Sequence, residues 1–442
     1  MRTSLPSLPI LALACATVLA AQTVDDTVLK QAILFGRHGV RTPNLPNSTL
    51  DNFAVQQFPL FPDAPPDSAP ATLTFTGAMN ETLLGGYFRL WLTQEGVLTG
   101  NDAADSANVY FRADGVPLVM GTAQAFAAGL LPSVKTTVNT VLPPTNDPLF
   151  DPVDSGVAQL DETTAVAAVN GRLGNTPQSL STAYSAELAL LRSVLFNYPL
   201  GQTPLATPPG KIDVTAIPIT VGPGNSSLPV NLGGLTVIAT ALDPFVMEYA
   251  DGDLPLSDVA WGQLNEASIS QVFRMYDRLL DLEFRTPYLA GVQASNLVSH
   301  ITRSLVQVAT GNPTGGAIGT PSSKVVALIG SNFNIVGVAS ILRLDWLLPG
   351  YQPDVAAPSG VLMFQLRQSQ STGEYFVRIA YVSQTMDQLR NRTTLTLDNP
   401  PPSAPVFVPG CSISNANFDC PLGNFVRLAN SLIDPHSADT VN

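Results

Sequence analysis

The chain has 442 residues, of which 45% are apolar and only 12% charged, with a mean hydropathy of +0.20. That composition excludes a disordered chain and fits a large, well-buried globular body. A net charge of −13 argues against nucleic acid or an anionic membrane surface as partner, so a small anionic ligand needs a locally basic pocket.

Arg2, the apolar stretch Pro9–Ala16 and the small residues Ala20 and Ala21 read as a secretory signal peptide over residues 1–21. Ser4, Pro6, Ser7 and Pro9 interrupt that stretch, and its apolar part is too short for a membrane span. A secreted, extracellular protein is the expectation, with no membrane association. Cys15 leaves with the signal. Cys411 and Cys420 then remain as an even pair in an oxidising route, expected to close a disulfide loop; zinc is the weaker alternative, with His436 the single imidazole nearby. Asn47, Asn80, Asn225 and Asn391 each begin an N-x-S/T sequon and are candidate glycosylation sites.

Leu29–Gly36 is a short apolar run ending at a turn, as a buried parallel strand requires. Leu83, Leu84, Tyr87, Phe88 and Trp91 follow at helical spacing, and Asn108–Phe111 reads as a second strand. The stretch from about Pro199 to Gly234 is rich in Pro and Gly. Ile269, Val272, Phe273, Tyr276, Leu279 and Leu280 then mark one face of a long helix. After the loop Asn312–Ser323 comes a strand at Val325–Ile329. Val361–Leu366 and Tyr375–Val382, flanking Ser371-Thr372-Gly373, read as an antiparallel hairpin at a sheet edge. Strands alternating with helices predict an α/β fold. Its core is expected over residues 22–143 and 283–442, with a cap inserted over 144–282.

Directly after the first strand stands Arg37-His38-Gly39-Val40-Arg41-Thr42-Pro43. Ligands of α/β sheets bind outside the carboxyl ends of strands, which makes this the expected place for a site. Two guanidiniums flanking an imidazole suit a phosphate: they neutralise it with forked hydrogen bonds while the imidazole attacks phosphorus.

The pattern R-H-G-x-R-x-P resembles the hallmark of the histidine acid phosphatases, the branch of the histidine phosphatase superfamily that contains phytases and glucose-1-phosphatases. Leu73–Gly77, Gln124–Leu130, Asn146–Asp161, Leu344–Gly350 and Gly410–Leu422 look like segments of bacterial-type phytases, so the resemblance spans nearly the whole mature chain. It implies a mostly parallel central sheet flanked by helices, phosphoglycerate mutase-like, with a mainly α-helical cap and the active site between the two. It also implies that His38 is the phosphorylated nucleophile and that Arg37 and Arg41 hold the phosphate. Nothing in the chain suggests a nucleotide cofactor or a catalytic metal.

The resemblance breaks at the family's second motif, a His-Asp inside G-H-D-x-N. Here the matching residues are Gly330-Ser331-Asn332-Phe333-Asn334. Asn332 stands where the family's Asp protonates the leaving alcohol, and an amide cannot give up that proton. Ser331, in place of the phosphate-binding His, can donate a hydrogen bond but brings no charge. In the family's arginine stretch Arg112 fits the first position, and Leu118 fills the second; Arg112 either reaches the phosphate or braces its loop. Asp114 is the candidate substitute acid, and His300 is left outside the site. Three readings follow: a secreted phosphomonoesterase acting through phosphohistidine with weakened protonation, a non-hydrolytic anion binder, or an enzyme of another class reusing the pocket. The ligand expected in each is a small phosphorylated or otherwise anionic molecule.

Overall fold

The computed structural model describes residues 25–65, 69–202 and 206–439; the expected signal peptide lies outside them. The first strand, β1 (Thr27–Arg37), lies inside an 8-stranded sheet. On one side it pairs in parallel with β6 (Val325–Gly330), which pairs in parallel with β2 (Val109–Ala113), and that strand with the short β3 (Val138–Asn139). On its other side come the antiparallel β7 (Val361–Ser369) and β8 (Tyr375–Val382). A separate hairpin of β4 (Ile219–Pro223) and β5 (Val230–Gly233) occupies the Pro- and Gly-rich stretch. The α/β expectation holds, and the site-bearing half of the sheet is the parallel half.

One detail differs. The β7–β8 hairpin is not an edge, because β9 (Ser403–Val406) and β10 (Cys420–Pro421) both pair with β8. Strands of four and two residues carry too little alternation to be read from sequence.

Alternation along the strands divides the core. Ile33, Phe35, Val326, Leu328 and Phe364 enter the larger apolar cluster on one face. Ala32, Leu34, Ala327 and Met363 enter the other, against the Phe75–Gln94 and Pro117–Leu130 helices. β1 and β6 run in register from Ala32↔Val325 to Arg37↔Gly330. Their carboxyl ends therefore deliver His38 and Ser331 to the same rim of the sheet. The loop Asn312–Ser323 enters β6 at its amino end, where Ser323 O accepts from Gln31 Nε2 at 2.8 Å, so it lies at the rim opposite the motif.

Cys411 and Cys420 are bonded to each other. Among the described residues no helix is long and apolar enough to cross a membrane. The sequons fare unequally. Asn225 and Asn391 are exposed, whereas Asn47 is half-buried with its amide on Phe58 O and Pro59 O. Asn80 corrects the expectation: it is 0% exposed and its amide donates to Leu389 O at 2.9 Å, so the fold leaves no room for a glycan there.

Candidate active site

The backbone of the motif is held from several sides. His38 N donates to Gly330 O (3.0 Å), and His38 O accepts from Ser359 N (3.2 Å). Gly39 N donates to Thr122 Oγ1 at 3.2 Å. Val40 O accepts from Thr74 N, the N-cap of the Phe75–Gln94 helix. A Cβ on Gly77 would lie 2.1 Å from Val40 O, so only glycine lets that helix close on the motif.

The His38 imidazole is 6% exposed. Its Nδ1 lies 3.0 Å from Gly39 O, and a carbonyl can only accept. The neutral ring therefore carries its proton on Nδ1 and presents a bare Nε2. Burial first, then the charges of Arg37 and Arg41, hold its pKa well below the ordinary 6.5. The shift favours the neutral ring, the form in which an imidazole can act as a nucleophile.

Arg37 and Arg41 are 6% and 2% exposed. Arg37 Nη1 donates to Ala356 O at 2.8 Å. The Arg41 fork is bidentate to Asp243 of the Gly234–Ala250 helix, both contacts at 2.8 Å. Burial works against the charge of each; Asp243 overcomes it for Arg41, whose pKa is raised, while Arg37 is pushed down. Arg37 Nε and Arg41 Nε are buried donors with no acceptor. Two buried cations with unspent N–H groups, both acting electrostatically on the His38 ring, are the kind of donors a tetrahedral oxyanion calls for.

Asn332, 4% exposed, donates through Nδ2 to Tyr276 Oη of the Glu266–Phe284 helix at 3.3 Å. Tyr276 lies in the field of Asp243, Arg37 and Arg41, and burial raises its pKa. The position of the family's proton donor is thus filled by an amide whose hydrogen is given to a phenol oxygen.

The Ser331 hydroxyl has a local partner. Ser331 is the N-cap of the Asn332–Leu342 helix, and its hydroxyl donates to Asn334 Oδ1 at 2.8 Å while accepting from Asn334 N. A hydroxyl has one hydrogen, and here it is given to Asn334. Arg112 resolves towards the brace: one Nη holds both oxygens of Asp147, at 2.7 and 2.6 Å, and ties β2 to the loop after β3. Asp114 lies two strands, roughly 10 Å, from His38. Burial and Asp147 raise its pKa, and Gly115 N and Val116 N donate to it. It gathers with Asp147 and with Asp151, which burial and Asp114 push up to about 7, rather than with Asn332. Leu118 is 6% exposed, and its carbonyl accepts from Thr122 Oγ1, the acceptor of Gly39 N. The place of a further arginine is therefore close to the motif and apolar. His300 pairs with Asp439 at 2.9 Å, outside the site.

Sequence reasoning missed Asp243 and Tyr276. The one available signal for Asp243 is a carboxylate, one of two with Glu248, in an otherwise largely apolar helix that the fold buries. Asp63, Asp251 and Asp253 approach within metal-ligand reach of one another, but Asp253 is already paired with Arg392 at 2.8 Å.

No protein-family model matches the chain. It is 28% identical to phytase AppA of Escherichia coli over 419 residues, 93% of each chain, and 24% identical to glucose-1-phosphatase of Providencia rettgeri over 409 residues, 91% of each. It superposes on Hafnia alvei phytase in complex with tartrate with a TM-score of 0.83 and 29% identity, covering 95% of this chain and 100% of that one. The same phytase in complex with myo-inositol hexakis sulphate gives 0.81 and 28%, with the same coverage. Built on this fold, with Arg37, His38 and Arg41 at the carboxyl end of β1, the chain is similar over nearly its whole length to phytases and glucose-1-phosphatases, consistent with the histidine acid phosphatase family.

Proposed function

We propose that the protein is a secreted phosphomonoesterase that works through a phosphohistidine at His38 and gives its leaving group little protonation. The relatives are phosphomonoesterases by name, and the solved complexes of Hafnia alvei phytase hold anionic ligands. The observation that carries the reading is the pair of unspent buried guanidinium donors beside an imidazole kept neutral with Nε2 bare.

In the forward step the Nε2 lone pair attacks phosphorus as the P–O bond to the alcohol breaks, and Arg37 and Arg41 take the charge that spreads over the equatorial oxygens. The departing alkoxide or phenolate takes its proton from water, since Asn332 has none to give. Water then attacks the phosphohistidine, releasing phosphate and the imidazole.

The experiment is a rapid quench with labelled 4-nitrophenyl phosphate near pH 5, beside His38→Ala. An acid-labile, alkali-stable protein-bound phosphate that the variant lacks is the expected result. Turnover that survives His38→Ala would refute the reading. A non-hydrolytic anion binder is the second reading, favoured by Leu118 together with the engaged hydroxyl of Ser331. Phosphate protection against thermal unfolding with no turnover of any ester would select it.

A further inference from the structure

Asp63, Asp251 and Asp253 meet where the chain leading into the Phe75–Gln94 helix touches the end of the Gly234–Ala250 helix. One carboxylate oxygen from each lies within 4.8 Å of the other two. Backbone donors fix the orientation of the first two groups. Thr76 N donates to Asp63 Oδ2 at 2.6 Å, and Asp253 N donates to Asp251 Oδ1 at 3.1 Å. The oxygens left over, Asp63 Oδ1 and Asp251 Oδ2, are buried and have no hydrogen-bond partner. Asp63 is 7% exposed and Asp251 0%.

Apposed buried carboxylates are costly unless something positive stands between them. Among the described residues no side-chain cation pairs with Asp63 or Asp251. Arg392 Nη1 takes Asp253 Oδ1 at 2.8 Å and leaves Oδ2, while Arg390 spends its guanidinium on the carbonyls of Tyr249, Asp251 and Leu254. The trio offers oxygen donors alone, with no thiolate or imidazole, which suits a hard cation rather than zinc or copper. Calcium holds oxygens at about 2.3–2.6 Å, so two ligands of one ion stand up to about 5 Å apart, and these three already meet that limit. Magnesium demands a tighter, nearly octahedral set. Asp253 is exposed, which gives an ion and its waters a way in.

We propose that Asp63, Asp251 and Asp253 form a calcium site, with Asp63 Oδ1, Asp251 Oδ2 and Asp253 Oδ2 as the protein ligands and water completing the shell. The ion joins two segments that hold the Arg37–Arg41 motif. Asp63 O accepts from Phe75 N, at the start of the helix whose N-cap Thr74 donates through N to Val40 O. Asp251 ends the helix that carries Asp243, the partner of Arg41, about two turns earlier. The role is structural, and it stands whether or not the protein hydrolyses phosphate esters. Without calcium a proton is the rival occupant: burial first, then Asp63, pushes the Asp251 carboxyl up to about 8.

The test is run at pH 8 on the whole protein stripped with EDTA, by equilibrium dialysis with labelled calcium and by thermal unfolding at constant ionic strength. One ion should bind per chain with a Kd of about 0.1–1 mM. Calcium at about 10 mM should raise Tm by on the order of a few degrees, and magnesium by less. Asp251→Asn and Asp63→Asn, both nearly isosteric, should each lose the bound ion and the shift; circular dichroism matching the parent's keeps lost binding apart from lost fold. Asp154→Asn, an exposed residue of the separate acidic group around Asp151, should keep both. No bound ion in the wild-type protein, binding that survives in both Asn variants, or an equal response to magnesium overturns the inference.

Discussion

Asn332→Asp places an acid where the site holds an amide. The residue is 4% exposed and the change is nearly isosteric, so it reverses one hydrogen bond: the Tyr276 hydroxyl, now an acceptor from Nδ2 at 3.3 Å, becomes a donor to the carboxylate. Burial raises the pKa of the new carboxyl, while Arg37 and Arg41, which already act on Tyr276, lower it. General-acid assistance is worth about 10²–10⁴-fold, or about 3–5 kcal/mol, for a leaving group that needs a proton. It is worth little for one that does not. Turnover of glycerol 2-phosphate should therefore rise by that factor, and turnover of 4-nitrophenyl phosphate by less than about tenfold. The assay is log kcat against leaving-group pKa for a series of aryl and alkyl phosphates: steep for the wild type, shallow for the variant. The variant's kcat should also fall as pH rises through the pKa of the new carboxyl. Equal gains across the series, or no gain in a variant that unfolds at the same temperature as its parent, would refute the claim that residue 332 limits the reaction by lacking a proton.

His38 is held neutral in the fold, whereas in the unfolded chain it takes up a proton below about pH 6.5. Its contribution to stability is therefore complete above that pH and falls as pH drops towards the depressed folded value; His38→Gln should flatten this acid limb in urea unfolding at pH 7, 6 and 5. Glu81 shows the opposite sign. It is 1% exposed, lies 3.3 Å from where a Gly39 Cβ would stand, and burial pushes its carboxyl from 4.5 up to about 8. The fold keeps a proton that the unfolded chain releases, so stability declines from about pH 4.5 to about pH 8, and Glu81→Gln should gain on the order of a few kcal/mol over the wild type at the alkaline end. The Arg41–Asp243 pair is buried, with side chains 3% and 5% exposed. Asp243→Ala should cost about 3–5 kcal/mol by leaving a guanidinium unpaired, and Arg41→Leu with Asp243→Leu should recover much of that loss in a double-mutant cycle by chemical denaturation.

The strands that position the site are legible because a buried parallel strand is a near-continuous apolar run: Leu29–Gly36 and Val325–Ile329 both fall inside the observed β1 and β6. The short strands β3, β9 and β10 are not, having two to four residues each. Within the site, Arg37, His38 and Arg41 are legible because they are contiguous and follow a strand. Asp243 stands 202 residues from its partner, and Tyr276 stands 56 from Asn332. Each looks like an ordinary helix residue until the helices pack. Ser331 misleads for a different reason. Its hydroxyl has the right chemistry for a phosphate, but the local spacing Ser331–Asn334 also satisfies a capping box, and the nearer partner takes the hydrogen.

The departures from the family pattern fall unevenly on the two halves of the proposed cycle, and so does the environment of His38. Leu118 withdraws a cation from the phosphoryl group in both halves; Asn332 withdraws the acid, which weighs on the first half, when the P–O bond to the alcohol breaks. The depressed basicity of His38 also makes it a somewhat weaker nucleophile there. In the second half the same imidazole is the leaving group, and a weakly basic nitrogen leaves phosphorus more readily. An ester with a stable phenolate relieves the first half of its need for an acid and leaves the second untouched. Under the proposed cycle, the loss of the proton donor therefore does much less harm with an aryl ester than with a sugar or inositol ester.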